Sequence, residues 1–262
     1  MKFSDFEICI PCFEGLGLKI KTWRDTDKYK NIKSIKSFKL EADKKAHEIL
    51  SNHLSEYFPG VKIISEEDKI HPTKRPEKYW LIDPIDGTSS WYYGFNGYVT
   101  QAAYIENNIP IYGIIHAPEL KKTWVGLKDN GSKLNGVFLK KLNESKTIVM
   151  IDNTPTPHGI TKKIINEIGA DSYLECGSLG LKTVLIADGT ADLFVKDVIV
   201  RDWDLVPAYV ILNEVGGFFT KINGDKYTFN GSFEKKDGFV VARDENLLKK
   251  CIGTIQKINN KF

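Results

Sequence analysis

No apolar run in this chain is long enough to span a bilayer. Its opening residues, Met1-Lys2-Phe3-Ser4-Asp5, carry no signal-peptide core, so the expectation is a cytoplasmic protein with no membrane partner. Cysteine is scarce, four residues in 262, which excludes a disulfide framework. One pair, Cys9-Ile-Pro-Cys12, forms a C-x-x-C, but no second one follows and the five histidines lack ligand-like spacing. No strand precedes the pair as a thioredoxin-like centre requires, so buried or half-buried thiols are the better reading. The net charge of +3 is too mild to argue for a nucleic-acid polymer. Repeats and low-complexity segments are lacking too. What is present, 42% hydrophobic and 11% aromatic residues, is ample material for a core in one large domain or two small ones.

The chain is organised around Tyr79 to Ser90, Tyr-Trp-Leu-Ile-Asp-Pro-Ile-Asp-Gly-Thr-Ser-Ser. Tyr79 to Ile82 reads as a buried strand, which Asp83-Pro84 is expected to end because proline has no N–H for a sheet ladder. Asp86-Gly87 then turns the chain, since glycine tolerates backbone angles other residues resist. Two carboxylates, with the Ile85 carbonyl between them, suit Mg²⁺ or Mn²⁺, and the N–H groups of Gly87 and Thr88 suit a phosphate. Taken alone, the same stretch is equally an ordinary Asp-Gly hairpin.

Earlier, Phe3 to about Trp23 is loosely helical around Pro11, and residues 19–45 are lysine-rich (including Lys33, Lys36 and Lys39), as a solvated face would be. Ala42, Ala46, Ile49, Leu50, Leu54 and Phe58 recur at helical spacing, with Asp43 in the first turn and Pro59-Gly60 as the stop. Val61 to Ser65 reads as a strand running into Glu66-Glu67-Asp68, and a lysine-rich loop (His71 to Lys78) leads to the central strand. After it, Tyr98–Ile105 and Ile109–Ala117 form a hairpin, Lys122–Gly126 a strand, and Asn130-Gly131 and Asn135-Gly136 turns. A soft boundary near 142–145 divides an antiparallel α+β part, residues 1–145, from an α/β part, residues 146–262.

In that second part Thr147–Ile151, Tyr173–Cys176, Ala191–Val195, Val198–Val200 and Gly238–Ala242 read as strands. Ile160–Ile168, Leu179–Ala187, a segment from Asp204 to Val215 and Glu245–Ile258 read as helices, with Pro207 placed in a first turn where N–H groups are orphaned. Phe218 to Phe229 reads as a hairpin over Asn223-Gly224-Asp225.

Glu66, then Asp83-Pro84-Ile85-Asp86-Gly87-Thr88, then Trp203-Asp204 with Glu214-Val215-Gly216-Gly217 downstream, together resemble the inositol monophosphatase superfamily over about residues 40–242. The resemblance implies a layered αβαβα sandwich of the inositol monophosphatase and fructose-1,6-bisphosphatase type, an α/β (α+β) fold. It implies a metal-dependent phosphomonoesterase that works by two-metal in-line water attack and is sensitive to lithium. Glu66, Asp83 and the Ile85 carbonyl would hold one Mg²⁺, and Asp83, Asp86 and Asp204 a second, two or three per site with Mn²⁺ able to substitute. Four carboxylates then meet an equal and opposite metal charge. Without it each close pair would cost about 4 kcal/mol at 4 Å and an effective dielectric near 20. Asp43 and Thr88, beside Glu66, would activate the water, and the N–H groups of Gly87 and Thr88 would bind phosphate along with Asp86.

Tyr79-Trp80-Leu81-Ile82-Asp83, Ser65-Glu66-Glu67-Asp68 and His116-Ala117-Pro118 resemble the 3'(2'),5'-bisphosphate nucleotidases within that superfamily. Gly177-Ser178 with Lys182 is similar to their phosphate-binding turn, and Lys196 stands where inositol-specific members carry a glutamate. Both lysines are therefore expected to meet substrate, with Trp91 and Tyr92 offering a face for adenine. Ser89-Ser90-Trp91 departs from the usual Lys-x-Phe. Inositol-1-phosphate or a sugar bisphosphate is the alternative substrate, a phosphate-binding protein without catalysis the alternative class, and a homodimer the implied assembly.

Overall fold

The computed structural model describes residues 1–30, 32–34 and 39–259. Lys36 of the lysine-rich run lies outside the described residues, as do the side chains of Lys33 and Lys39. A 3₁₀ turn, Phe3–Asp5, leads to α1 (Cys9–Asp25), which carries Pro11 in its first turn, where no hydrogen bond is lost. β1 (Ile32–Ser34) and β2 (Lys39–Leu40) pair antiparallel before α2 (Glu41–Tyr57). Then come β3 (Lys62–Ser65), β4 (Lys78–Asp86), α3 (Thr88–Tyr93), β5 (Val99–Glu106), β6 (Ile109–Ala117), β7 (Lys122–Leu127), β8 (Gly131–Leu134) and β9 (Val137–Phe138). These seven strands form one sheet in chain order, antiparallel except for the β3–β4 pair.

The remaining elements are β10 (Val149–Asp152), α4 (Gly159–Ile168), β11 (Ser172–Glu175), α5 (Leu179–Ala187), β12 (Leu193–Lys196), β13 (Val200–Arg201), α6 (Asp202–Glu214), β14 (Phe218–Lys221), β15 (Glu234–Lys235), β16 (Phe239–Ala242) and α7 (Glu245–Asn259). Five of these strands make a second sheet in the order β11-β10-β12-β16-β14, and β13 pairs with β15 separately.

The buried side chains sort into three layers of core. Phe13, Leu16 and Ile20 of α1 and Ala46, Leu50 and Leu54 of α2 pack on Trp80, Ile82, Ala102 and Ile114 of the large sheet. Its other face, carrying Tyr79, Leu81, Ile115 and Trp124, meets α5 and α6, which in turn cover Ile151, Phe194 and Val241 of the small sheet. Ile164 of α4 and Leu248, Cys251 and Ile255 of α7 close that sheet's outer face over Met150, Leu193 and Val240. The result is the αβαβα sandwich. Consecutive residues of β4, facing opposite ways, bury both faces of the strand, which explains its unbroken apolar run. α6 lies unusually close to the large sheet because glycines face it. A Cβ on Gly113 would fall 2.2 Å from the Pro207 carbonyl oxygen, and one on Gly126 would fall 2.7 Å from the Ile211 Cα.

Three expectations need correction. β4 runs through Pro84 to Asp86, because the ladder to β5 skips from Asp83↔Gln101 to Asp86↔Val99 and the proline sits in that irregularity. Pro207 is the sixth residue of α6 and deprives the Trp203 carbonyl of its usual donor, a place taken by Gln101 Nε2 at 3.0 Å. The arms over Asn223-Gly224-Asp225 meet in one isolated bridge, Thr220↔Lys226, rather than a full hairpin.

The thiols have ordinary surroundings. All four are free, Cys9 is buried and Cys12 half-buried, and burial pushes Cys12 up to about 11, away from thiolate chemistry. Among the described residues no helix is long and apolar enough to cross a membrane.

Candidate active site

Each acidic side chain is aimed by a local backbone device. At the end of β3, the Glu66 N–H donates to the Ile82 carbonyl (3.2 Å) and Asp68 Oδ2 accepts from the Ser65 N–H (2.8 Å), folding the acidic triplet into a tight turn. Two histidines brace it, His47 Nδ1 at 2.9 Å from Ser65 Oγ and His71 Nε2 at 2.7 Å from the Ser65 carbonyl. On β4, Asp83 is 1% exposed. Asp86 follows the irregularity, and its Oδ2 accepts from Ser178 Oγ (2.5 Å), the Gly180 N–H (2.9 Å) and Gln101 Nε2 (3.2 Å). Gly87 then takes φ +87°, a left-handed angle, and starts α3. Asp204 is the third residue of α6, and its Oδ2 accepts from the Arg201 N–H at 2.8 Å, so it caps the helix as well.

These devices bring Glu66, Asp83 and Asp204 together, with one carboxylate oxygen of each within 4.8 Å of the others. Asp83, Asp86 and Asp204 are all pushed above the usual carboxylate range, chiefly by burial and, for Asp83 and Asp204, also by the neighbouring carboxylates. Asp83 Oδ1 is buried without a hydrogen-bond partner. A lone acceptor inside a nest of acids is costly unless a cation completes it. An all-oxygen donor set fits a hard divalent ion. The residues present therefore fit a metal.

Asp43 and Thr88 meet beside this cluster. Asp43 Oδ2 accepts from the Leu40 N–H (2.8 Å) at the start of α2, and its Oδ1 faces Thr88 Oγ1 at 3.2 Å. The same hydroxyl lies 2.9 Å from the Ile85 carbonyl oxygen, so its single proton has two acceptors. Burial first, then the Glu67 and Glu66 carboxylates, push Asp43 up to about 7 against the hydrogen bonds it accepts.

A cleft of about 520 Å³ opens next to Thr88, lined by Gly87, Ser89, Ser90, Tyr93, Phe95, Asn153, Thr154, Pro155, Glu175 and Gly177. Gly87, Thr88 and Gly177 of the expected substrate set line it. A Cβ on Gly177 would meet Ser90 Oγ at 1.9 Å, so only glycine fits there. Ser178, Lys182 and Lys196 do not face it. Ser178 Oγ is buried between Asp86 and the Leu181 N–H (2.9 Å), and its own N–H donates to the Gly97 carbonyl. Lys182 is fully buried and donates to Asn153 Oδ1 and to the carbonyls of Cys176 (3.0 Å) and Gly177 (2.8 Å). Burial lowers its ammonium to about 8. Lys196 is paired with buried Asp152, which also accepts from Thr161 Oγ1. Both lysines fasten the wall of the cleft from behind. Trp91 likewise belongs to the core, its Nε1 donating to the Ile20 carbonyl.

Lys196→Glu should accordingly act on folding. It sets a second carboxylate against Asp152 in the interior, and breaking a buried pair costs about 3–5 kcal/mol. Urea unfolding of the purified variant measures this. Unchanged stability with altered substrate preference would mean that Lys196 does face the cleft.

Sequence reasoning missed Gln101, Asn153, Tyr93 and Phe95. Gln101 had a signal, a long polar residue amid the apolar run of β5, where it is buried and ties Asp86 to the Trp203 carbonyl. The others depend on how loops from distant parts of the chain meet.

The comparisons with known proteins agree with this geometry. A family model described as the inositol monophosphatase family matches residues 16–260. The 3'(2'),5'-bisphosphate nucleotidase CysQ of Aggregatibacter actinomycetemcomitans is 28% identical over 210 residues, 76% of each chain. A fructose-1,6-bisphosphatase/inositol-1-monophosphatase of Thermotoga maritima is 24% identical over 242 residues, 91% of this chain and 92% of that one. Among solved structures, a Thermotoga maritima IMPase superposes with TM-score 0.83 at 22% identity over 100% of this chain and 99% of the other.

Proposed function

The chain belongs to the inositol monophosphatase family of metal-dependent phosphatases, and from that premise we propose that it is a Mg²⁺-dependent 3'(2'),5'-bisphosphate nucleotidase. The observation that carries the nucleotide over a simple polyol is the pair of rings beside the phosphate-binding turn. Tyr93 is 65% and Phe95 58% exposed, and both line the cleft that Gly87 and Thr88 open onto. Large exposed rings at a cleft give a base a surface to stack on, at about 1–3 kcal/mol per base. The similarity to the CysQ sequence supports the same reading.

In this proposal Glu66, Asp83, Asp86, Asp204 and the Ile85 carbonyl hold the metal ions. When bound, they supply Lewis-acid stabilisation of the phosphoryl oxygens and a water of lowered pKa. The first-turn N–H groups after Gly87 receive the phosphate. Thr88 Oγ1 accepts a proton from the attacking water as its own proton passes to Asp43 Oδ1, 3.2 Å away. Ser178, Gln101 and the Gly180 N–H fix Asp86 throughout.

Glu175 favours a second reading. This exposed carboxylate in the same cleft can accept hydrogen bonds from sugar hydroxyls, as a polyol phosphate would require. The test is kcat/KM for adenosine 3',5'-bisphosphate, inositol-1-phosphate and fructose-1,6-bisphosphate side by side with Mg²⁺. The nucleotide should lead, and Phe95→Ala should reduce its advantage by raising KM. A tenfold preference for inositol-1-phosphate, about 1.4 kcal/mol at the transition state, would overturn the nucleotide assignment.

A further inference from the structure

The acidic cluster draws its ligands from separate segments, and on the α6 side it has an unusual support. Arg75 comes from the loop before β4 and is buried, its side chain 5% exposed. Its guanidinium pairs with Asp202, the fully buried first residue of α6, and donates from Nη1 to the Tyr79 hydroxyl at 2.8 Å. Nε and Nη2 donate to the carbonyls of Gly231 (2.9 Å) and Ser232 (3.0 Å). The guanidinium carbon sits 4.0 Å over the Phe233 ring. The Asp202 N–H also donates to the Phe233 carbonyl, at 2.9 Å.

Tyr79 lies on β4, four residues before Asp83, and Asp202 lies two residues before Asp204. Arg75 thus joins the strand carrying one group of proposed ligands to the helix carrying another. The need for such a tie follows from the charges. The carboxylates of Glu66, Asp83 and Asp204 lie within 4.8 Å of one another, and before a cation arrives their repulsion favours driving the end of α6 away from β4. A buried ion pair adds little stability compared with apolar replacements of similar volume, so its contribution is better sought in what it holds still. The planar fork of arginine, donating along several fixed directions at once, suits that task in a way a lysine does not.

We propose that Arg75, acting through Asp202, is a positioning residue that holds Asp204 in register with Asp83 so that the metal site is preformed. This rests on the metal reading of the acidic cluster given above. Loss of an outer partner of a metal ligand typically costs 10–100-fold in affinity, and the same range is expected here.

The test is Mn²⁺ binding to the full-length, metal-stripped protein, with free Mn²⁺ read by electron paramagnetic resonance. Arg75→Met should weaken binding by about 10–100-fold, and Arg75→Lys should fail to restore it. Because Arg75→Met leaves Asp202 buried with only the Lys235 ammonium, 3.6 Å from Oδ1, as a counter-charge, the deciding variant is Arg75→Met with Asp202→Asn, which removes both members of the closer pair. Its thermal midpoint should recover toward that of the wild type while Mn²⁺ binding stays weak, a separation that a merely structural role would not produce. Wild-type Mn²⁺ affinity in the double variant, with Asp204→Asn binding weakly, would overturn the clamp alone. Equal binding by the wild type and Asp204→Asn would take down the metal reading and the clamp with it.

Discussion

Asp83→Asn is expected to lower kcat/KM by at least about 10³-fold with Mg²⁺ present, beyond the 10–100-fold typical of losing a partner outside the metal's own ligands. Asp83 belongs to the carboxylate cluster and keeps a buried oxygen with no other partner. The amide has nearly the same shape, so the loss reports charge and ligation rather than packing. Thr88→Ala should cost about 10²-fold in kcat, the lower end of what positioned proton transfer contributes, with KM little changed. Glu67→Gln is the control. Glu67 shares the turn after β3, but it is Glu66 that joins Asp83 and Asp204. Steady-state kinetics on folded variants decides the assignment. If Glu67→Gln proved more damaging than Asp83→Asn, the acidic triplet would have been read one residue out of register.

The Asp83–Asp86 part of the site is legible in the sequence because it is local, whereas Glu66 and Asp204, from separate segments, join it only through the family resemblance. A strand end, a proline and an Asp-Gly bend fix where Asp83 and Asp86 stand relative to each other, whatever the rest of the chain does. Helices with clear apolar periodicity and sharp stops were legible for the same reason, and Leu179–Ala187 has the bounds expected of it. What failed depended on tertiary placement. Lys182 and Lys196 read as anion-binding groups because the family resemblance places them at a phosphate-binding turn and at a substrate-contacting position, and lysine is rarely fully buried. Only the assembled fold shows Asn153, Asp152 and two carbonyls waiting for them. The sequence puts Pro207 in a first turn by starting the helix at Asp204, whereas Asp202, pinned by Arg75, begins the helix. The aromatic face of the cleft is placed by the sequence at Trp91 and Tyr92, of which the first belongs to and the second packs against the core under α1 and α2. It is supplied instead by Tyr93 and Phe95, on the far side of a short helix whose length the sequence does not announce.

Metal removal should invert the pH dependence of stability near neutrality. In the metal-free protein Asp43 is raised from 3.8 to about 7, and Asp83 and Asp204 are raised well above their ordinary range. Between the unfolded and folded pKa values of such a group the native state binds more protons than the unfolded chain. Unfolding free energy changes with pH in proportion to unfolded minus native protons bound, which is negative here, so stability falls as pH rises through the folded pKa. His116 works the other way, since burial lowers it, but its contribution is already half spent at about pH 6.5 and is complete about one unit higher, as the unfolded imidazole loses its proton. Lys182, lowered to about 8, adds an opposing effect only above that pH. Across the window from about pH 6.5 to 8 each of these two opposing titrations is at most half expressed, so the carboxylates dominate. With EDTA the thermal midpoint should drop across it, and activity should be absent. With saturating Mg²⁺ the ligands are held ionised by the metal, so the midpoint should stay level or rise, and the gap between the two conditions should widen with pH. Mg²⁺ binding should release protons in the same interval, measurable by titration in buffers of different ionisation enthalpy. A gap that stays constant from pH 6.5 to 8, or full activity in EDTA, would show that these carboxylates do not hold a metal on which catalysis depends.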